Sequence, residues 1–156
     1  MEMLWHELTL GLGSSRQVVQ VLLRLVVAAL CGALVGVQRQ RARKPAGLRT
    51  HILVSLTSSL VVVACTGMGM NLDAQSRVIQ GLLTGIGFLG AGSILKLSQE
   101  HDIKGLTTAA GLWTMAAIGI ACGVGTIGIA LIGTALTLIV LALVKEIEDH
   151  PDRSQY

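Results

Sequence analysis

Between Gly105 and Val144 the chain has no aspartate, glutamate, lysine, arginine or histidine. As one helix those 40 residues would make a rod of roughly 60 Å, twice the ~30 Å of a bilayer's hydrocarbon core. The run must therefore fold back on itself, and Gly119, Gly123, Gly125 and Gly128 mark the expected place, because glycine takes up turn conformations that other residues resist. Two further uncharged runs, Ile52 to Met70 and Val78 to Leu95, each suit one helical span. A soluble protein with a greasy core would show a polar face every third or fourth residue. From Ile127 to Val144 the only polar side chains are Thr134 and Thr137, and threonine can bond back to its own helix. With 52% apolar and 13% charged residues, the charges are bunched between the runs. The reading is an all-α integral membrane bundle of about five transmembrane helices.

A first span fits 18–37, and the others follow at about 51–70, 78–96, 105–123 and 126–144, so that 18–144 is the membrane domain. Residues 1–17 read as a short interfacial segment anchored by Trp5, too polar and glycine-broken for a cleavable signal, and 145–156 as a short cytoplasmic tail. Orientation comes from the basic residues. Arg39, Arg41, Arg43, Lys44 and Arg49 crowd the loop after the first span, and short basic loops stay cytoplasmic. With that loop inside, Lys96, Lys104, Lys145 and Arg153 are inside too, leaving Arg16 and Arg77 outside. The N-terminus is thus expected outside and the C-terminus inside. The net charge of +3 is one of membrane topology and gives no reason to expect nucleic acid.

Inside lipid, helices associate through close approach of small residues and through interhelical hydrogen bonds. Gly32 and Gly36, Gly81 and Gly85, and Gly119 and Gly123 are three GxxxG pairs. The third span adds Gly87, Gly90 and Gly92. No single helical face holds all five of its glycines, so this span is expected at the centre of the bundle, its glycines serving packing or lining a passage. Arg24 is the one charge inside a span, placed either to snorkel to the headgroups or to pair within the bundle. Cys31, Cys65 and Cys122 are expected as structural thiols, with a Cys65–Cys122 disulfide as the alternative.

The sequence shows no nucleophile with a base, no phosphate loop and no cluster with metal-ligand spacing. The expectation is a non-enzymatic protein with no catalytic residue, metal or cofactor. No carboxylate lies in any span, and Asp73 and Asp102 are too isolated for a Mg²⁺ site. The richest surface is the inner loop: Gln38, Arg39, Arg41, Arg43, Lys44, Arg49, Thr50 and His51 are the candidates for binding a partner or anionic lipid, each basic residue near such a surface being worth about 1 kcal/mol. Thr50 is the expected N-cap of the second span and Thr107 or Thr108 that of the fourth.

Three blocks, GALVGVQRQRARKPAGLRTH, RVIQGLLTGIGFLGAGSIL and KGLTTAAGLWTMAAIG, follow one another in the order and spacing of the membrane domain of the MgtC/SapB family. The chain resembles that family over about 24–144. The resemblance implies a multi-pass protein of the bacterial inner membrane, associated with growth under magnesium limitation and, in pathogens, with survival in host cells. It also implies action by contact with other membrane complexes, such as the proton-driven ATP synthase, rather than by pumping magnesium. Carried over by motif are Arg39, Ala46, Gly47, Leu48, Arg49, Thr50 and His51, then Gly85, Gly87, Gly90, Gly92, Gly105, Leu106, Thr107 and Thr108. Gln38 stands where the family has a glutamate beside arginine, which removes a charge pair. The chain is expected to be membrane domain only, without the C-terminal soluble domain of some members.

The functional expectation is therefore a binding protein of the bilayer, with a homodimer through glycine faces as its candidate assembly. The alternative is a small channel or transporter for Mg²⁺ or another cation, with Thr84, Ser93 and Thr107 beside the third-span glycines as its polar route.

Overall fold

The computed structural model describes residues 14–96 and 103–148. Five helices carry the fold: α1 Ser15–Arg41, α2 Leu48–Gly67, α3 Leu72–Gly92, α4 Leu106–Val124 and α5 Ile127–Glu148. The fold is all-helical apart from a two-residue antiparallel pairing of Leu95 with Lys104 and Lys96 with Ile103 between α3 and α4. The interfacial segment expected around Trp5, His101 and Asp102 of the inner loop, and Arg153 of the tail lie outside the described residues.

Local chemistry explains the boundaries. Ser14 caps α1 by accepting from the Gln17 N–H, and the Asn71 side chain caps α3 by accepting from the Ala74 N–H. The fold-back expected in the long neutral run occurs at Gly125, which takes φ +100° between α4 and α5. Thr50 and Thr107 or Thr108 do not cap their helices. Gly47 and Gly105 hold those positions, neither with a side-chain cap. Gly105 has φ +104°, and a Cβ there would collide with the carbonyl oxygen of Ser93, so the turn into α4 admits only glycine.

Helices α1, α2 and α4 are each long and apolar enough to cross a membrane, and α5 is apolar over Ile127–Leu143. Helix α3 ends at Gly92, short of the expected 96, and its first turns carry Asp73, Gln75, Arg77 and Gln80. Its apolar part, 78–92, is only about 22 Å long.

Helix α4 lies at the centre, packed on all four other helices, and contributes Leu112, Met115, Ala116, Ile118 and Cys122 to the core. That position was expected of the third span. Instead a Cβ at Gly81, Gly85, Gly87 or Gly92 would meet nothing within 4 Å, and only Gly90 approaches a neighbour, Ala109. The other two GxxxG pairs do bring backbones together. A Cβ on Gly32 would stand 2.6 Å from the His51 carbonyl oxygen and one on Gly36 2.7 Å from the Leu48 Cα. Farther along the same face of α2, a Cβ on Gly119 would run into the Ser55 carbonyl oxygen, and one on Gly123 would stand 2.7 Å from that of Ser59. The glycine faces of α1 and α4 thus converge on one face of α2.

The outer surface is apolar. Val19, Leu22, Leu23, Val26, Leu30 and Leu34 of α1, and Leu131, Leu136, Ile139 and Val140 of α5, are exposed, as expected where lipid is the solvent. All three cysteines are free and buried, so the alternative Cys65–Cys122 disulfide is not formed.

Candidate functional site

One end of the bundle gathers the last turn of α1, the loop to α2 and the first turns of α2 and α4. Helix α1 ends in a hydrogen-bonded turn in which the Lys44 N–H donates to the Arg39 carbonyl at 3.1 Å and the Arg43 N–H to that of Gln40 at 3.0 Å. This pairing is a Schellman motif, whose left-handed position is usually glycine. Arg43 fills it with φ +52°, alone among the described non-glycine residues in that region. Pro45-Ala46-Gly47 follows, with Ala46 buried, and the Gln40 side-chain oxygen accepts the Leu48 N–H at 3.4 Å.

The candidate residues divide into two sets. Arg41, Arg43, Lys44, Arg49 and Thr50 are exposed, as a recruiting surface requires. Arg39 and His51 are not part of that surface, being 3% and 0% exposed. Arg39 sits on the face of α1 that meets α4, two residues before the exposed Arg41, and its Nη2 donates to Thr108 Oγ1 at 3.2 Å. His51 falls one turn into α2, on the face clamped by Gly36 and Gly111. Its Nδ1 donates to the Gly47 carbonyl at 2.9 Å, which leaves Nε2 as the ring's acceptor. That Nε2 lies 3.6 Å from where a Gly111 Cβ would be. Gln38 donates to the Leu141 carbonyl at 3.3 Å, tying α1 to α5.

The cluster continues inward through residues that the sequence reading passed over. Ser55, Ser58 and Ser59 are buried, and His51, Ser55 and Ser59 follow one another every four residues along one face of α2. The spacing was visible in the sequence as polar residues at helical period inside a neutral run. Ser58 bonds back to the Val54 carbonyl at 2.7 Å, while Arg39 Nε, His51 Nε2, Ser55 Oγ, Ser59 Oγ and Gln38 Oε1 are buried without a partner among the described residues. These small side chains let the α4 glycines approach α2. They also leave a row of polar atoms inside the bundle, costly where no water reaches.

Arg24 pairs within the bundle, its Nη1 donating to the Gly123 carbonyl at 2.9 Å at the other end. A guanidinium at the C-terminal end of α4 satisfies a carbonyl that has lost its helical partner and complements the helix dipole. The residues of the alternative polar route are not brought together. Thr84 and Ser93 bond back to the carbonyls of Gln80 and Gly90, and Thr107 opens on a groove between α4 and α5, away from the α3 glycines.

Among the described residues no three His, Cys, Asp or Glu side chains come close enough to hold a metal ion. The arrangement is a clamp, with donor-rich buried groups holding three helix ends and exposed cations displayed outside them.

Comparison with known proteins matches the MgtC family over residues 25–150. SrpB of Synechococcus elongatus is 43% identical over 136 residues, 80% of this chain and 75% of that protein. YhiD of Escherichia coli K12 is 40% identical over 136 residues, 82% of this chain and 62% of that protein. MgtC of Salmonella typhimurium is 38% identical over 125 residues, 80% of this chain. The match spans about half of that MgtC's length, 52%. No solved structure matches the chain.

Proposed function

The chain belongs to the MgtC family, and from that premise we propose that it is a non-enzymatic binding module of the bacterial inner membrane, oriented with its N-terminus outside and its basic loop and C-terminus inside. The loop between α1 and α2 engages anionic lipid or another membrane complex, of which the proton-driven ATP synthase is the candidate named by the family resemblance, in adaptation to magnesium limitation or life inside a host. A homodimer across the open glycine face of α3 is the proposed assembly.

The observation that carries this reading is Arg43. A left-handed arginine where a Schellman turn favours glycine costs about 1 kcal/mol, and it adds an exposed charge between Arg41 and Lys44. Strain of this kind gathers at functional positions. The buried anchors, Arg39 on Thr108 and His51 on Gly47, hold the loop so that its cations need little ordering on binding.

The test is co-purification and crosslinking from membranes, alongside growth in low magnesium, for the triple variant Arg41→Ala, Arg43→Ala and Arg49→Ala. Lost growth together with lost contacts is expected. Growth lost while every contact persists would refute recruitment by the loop, and normal growth would show that these arginines are dispensable. A tag inserted after Arg43 is expected on the cytoplasmic side.

The second reading, transport of a cation, is favoured by the proposed magnesium-transporter role in the name of YhiD. The helices α1, α2 and α4 contain no Asp or Glu, which weakens it, since Mg²⁺ sites are built from oxygen ligands and usually include a carboxylate. Flux of Mg²⁺, K⁺ or H⁺ above that of empty vesicles in reconstituted liposomes would restore it.

A further inference from the structure

At the end of the bundle away from the basic loop, a cleft of about 600 Å³ opens between the start of α1 and the end of α2. Ser14, Arg16, Gln17, Gln20, Arg24 and Thr66 line it beside apolar side chains such as Val63 and Met68, and among the described residues no acidic side chain takes part. Arg16, Gln20 and Arg24 recur every four residues, so they share one face of α1. Beside them the N-terminal end of a 27-residue helix adds its partial positive charge.

The depth of Arg24 identifies the kind of occupant. Its Cα is nine residues beyond Ser15, the first residue of α1, about 14 Å along the helix, but helical side chains lean toward the N-terminus. The bond from Nη1 to the Gly123 carbonyl holds the guanidinium level with the last turn of α4. It therefore stands at the rim of the hydrocarbon region, with one of five N–H donors on that carbonyl and the group also lining the cleft. Val19, Leu22, Leu23 and Val26, exposed on the flank of the same helix, offer an apolar strip alongside that face. A guanidinium at the rim, with a second lining the same cleft farther out and an apolar strip alongside, matches a phosphate group that carries acyl chains, since arginine pairs bidentately with phosphate oxygens.

We propose that this cleft is a binding site for the phosphate headgroup of an anionic glycerophospholipid, with Arg16 and Arg24 as its charge partners and Gln20 as a hydrogen-bond donor. The lipid sits on the N-terminal half of α1 with its chains along the exposed valines and leucines. The site is separate from the basic loop, at the opposite end of the bundle.

Native mass spectrometry of the purified full chain in mild detergent tests this, with phosphatidylglycerol, phosphatidylcholine and inorganic phosphate as probes. Because the loop attracts anionic lipid in its own right, the measurement is made in an Arg41→Gln, Arg43→Gln background. Phosphatidylglycerol is expected to be retained at least tenfold over phosphatidylcholine, and Arg16→Gln to cut that preference at least threefold with an unchanged melting temperature. Arg24→Lys, which keeps the charge and loses the fork, should reduce it further. Equal retention of the two lipids, an Arg16→Gln variant with full preference, or displacement by millimolar inorganic phosphate would each overturn the assignment. Loss of preference only when the loop arginines are changed would also overturn it, while leaving recruitment by the loop standing.

Discussion

Helix α4 puts Gly119 and Gly123 where a Cβ would strike the backbone of α2, whereas α3, beside it, puts Gly81, Gly85, Gly87 and Gly92 where a Cβ would meet nothing within 4 Å. Both helices have the small residues that permit close approach. The difference lies in which face each helix turns to its neighbours. Toward α4, helix α2 turns Ser55, Ser58 and Ser59, small enough for the two backbones to touch. Toward α2, helix α3 turns its own Val78, Leu82, Ile86 and Leu89, around a groove of about 420 Å³, and leaves Gly81, Gly85, Gly87 and Gly92 exposed. Glycine spacing therefore states that a helix can be approached closely, and the way the helix is turned decides whether it is.

The sharpest way to break this comparison is to add bulk on each side of it. Gly119→Leu is expected to cost about 3 kcal/mol or more, because the obstruction is backbone and cannot move aside, and to abolish the monodisperse peak in detergent size-exclusion chromatography. A folded Gly119→Leu protein would mean that α4 does not pack as described. Next in size, Thr108→Val removes the hydroxyl that accepts from the buried Arg39. A loss of about 1–2 kcal/mol, read by thermal unfolding in detergent, is expected where few other acceptors exist. Arg43→Gly reverses the logic, returning glycine to a turn that wants it. It should stabilise the protein by about 0.5–1 kcal/mol while weakening retention by the loop. Smallest is Gly85→Ala, expected to stay within about 0.5 kcal/mol of the parent. Gly85→Leu sharpens the point, since it should leave the monomer's stability nearly unchanged and separate any dimer formed across α3.

Much of the architecture was legible in the sequence. The neutral runs announced the helices, the 40-residue run announced its own hairpin at Gly125, and two of the three GxxxG pairs make the backbone contacts they suggested. What stayed hidden depends on rotational phase and on partners. Arg39 and Arg41 are two residues apart in one basic string, yet one is buried and the other exposed, because about 200° of helical turn separates them and only the packing of α4 decides which faces in. The threonine caps failed for a similar reason. Whether Thr107 or Gly105 starts α4 depends on the close pass of the Ser93 carbonyl, a contact with no local signature. The central place expected of α3 failed because counting glycines ignores which way the helix turns them.

The bond between Arg24 and the Gly123 carbonyl joins positions 99 residues apart in the chain. Synthesis runs from the N-terminus, so α1 enters the membrane carrying a charge whose acceptor does not yet exist. Until α4 has been translated, that guanidinium has only headgroups or water to turn to, which keeps α1 near the edge of the bilayer or inside the insertion machinery. Final seating of α1 thus waits on α4, made three helices later. Chains halted after α3 should accordingly hold α1 in a shallower position than full-length ones, a difference that cysteine accessibility along its first turns would register.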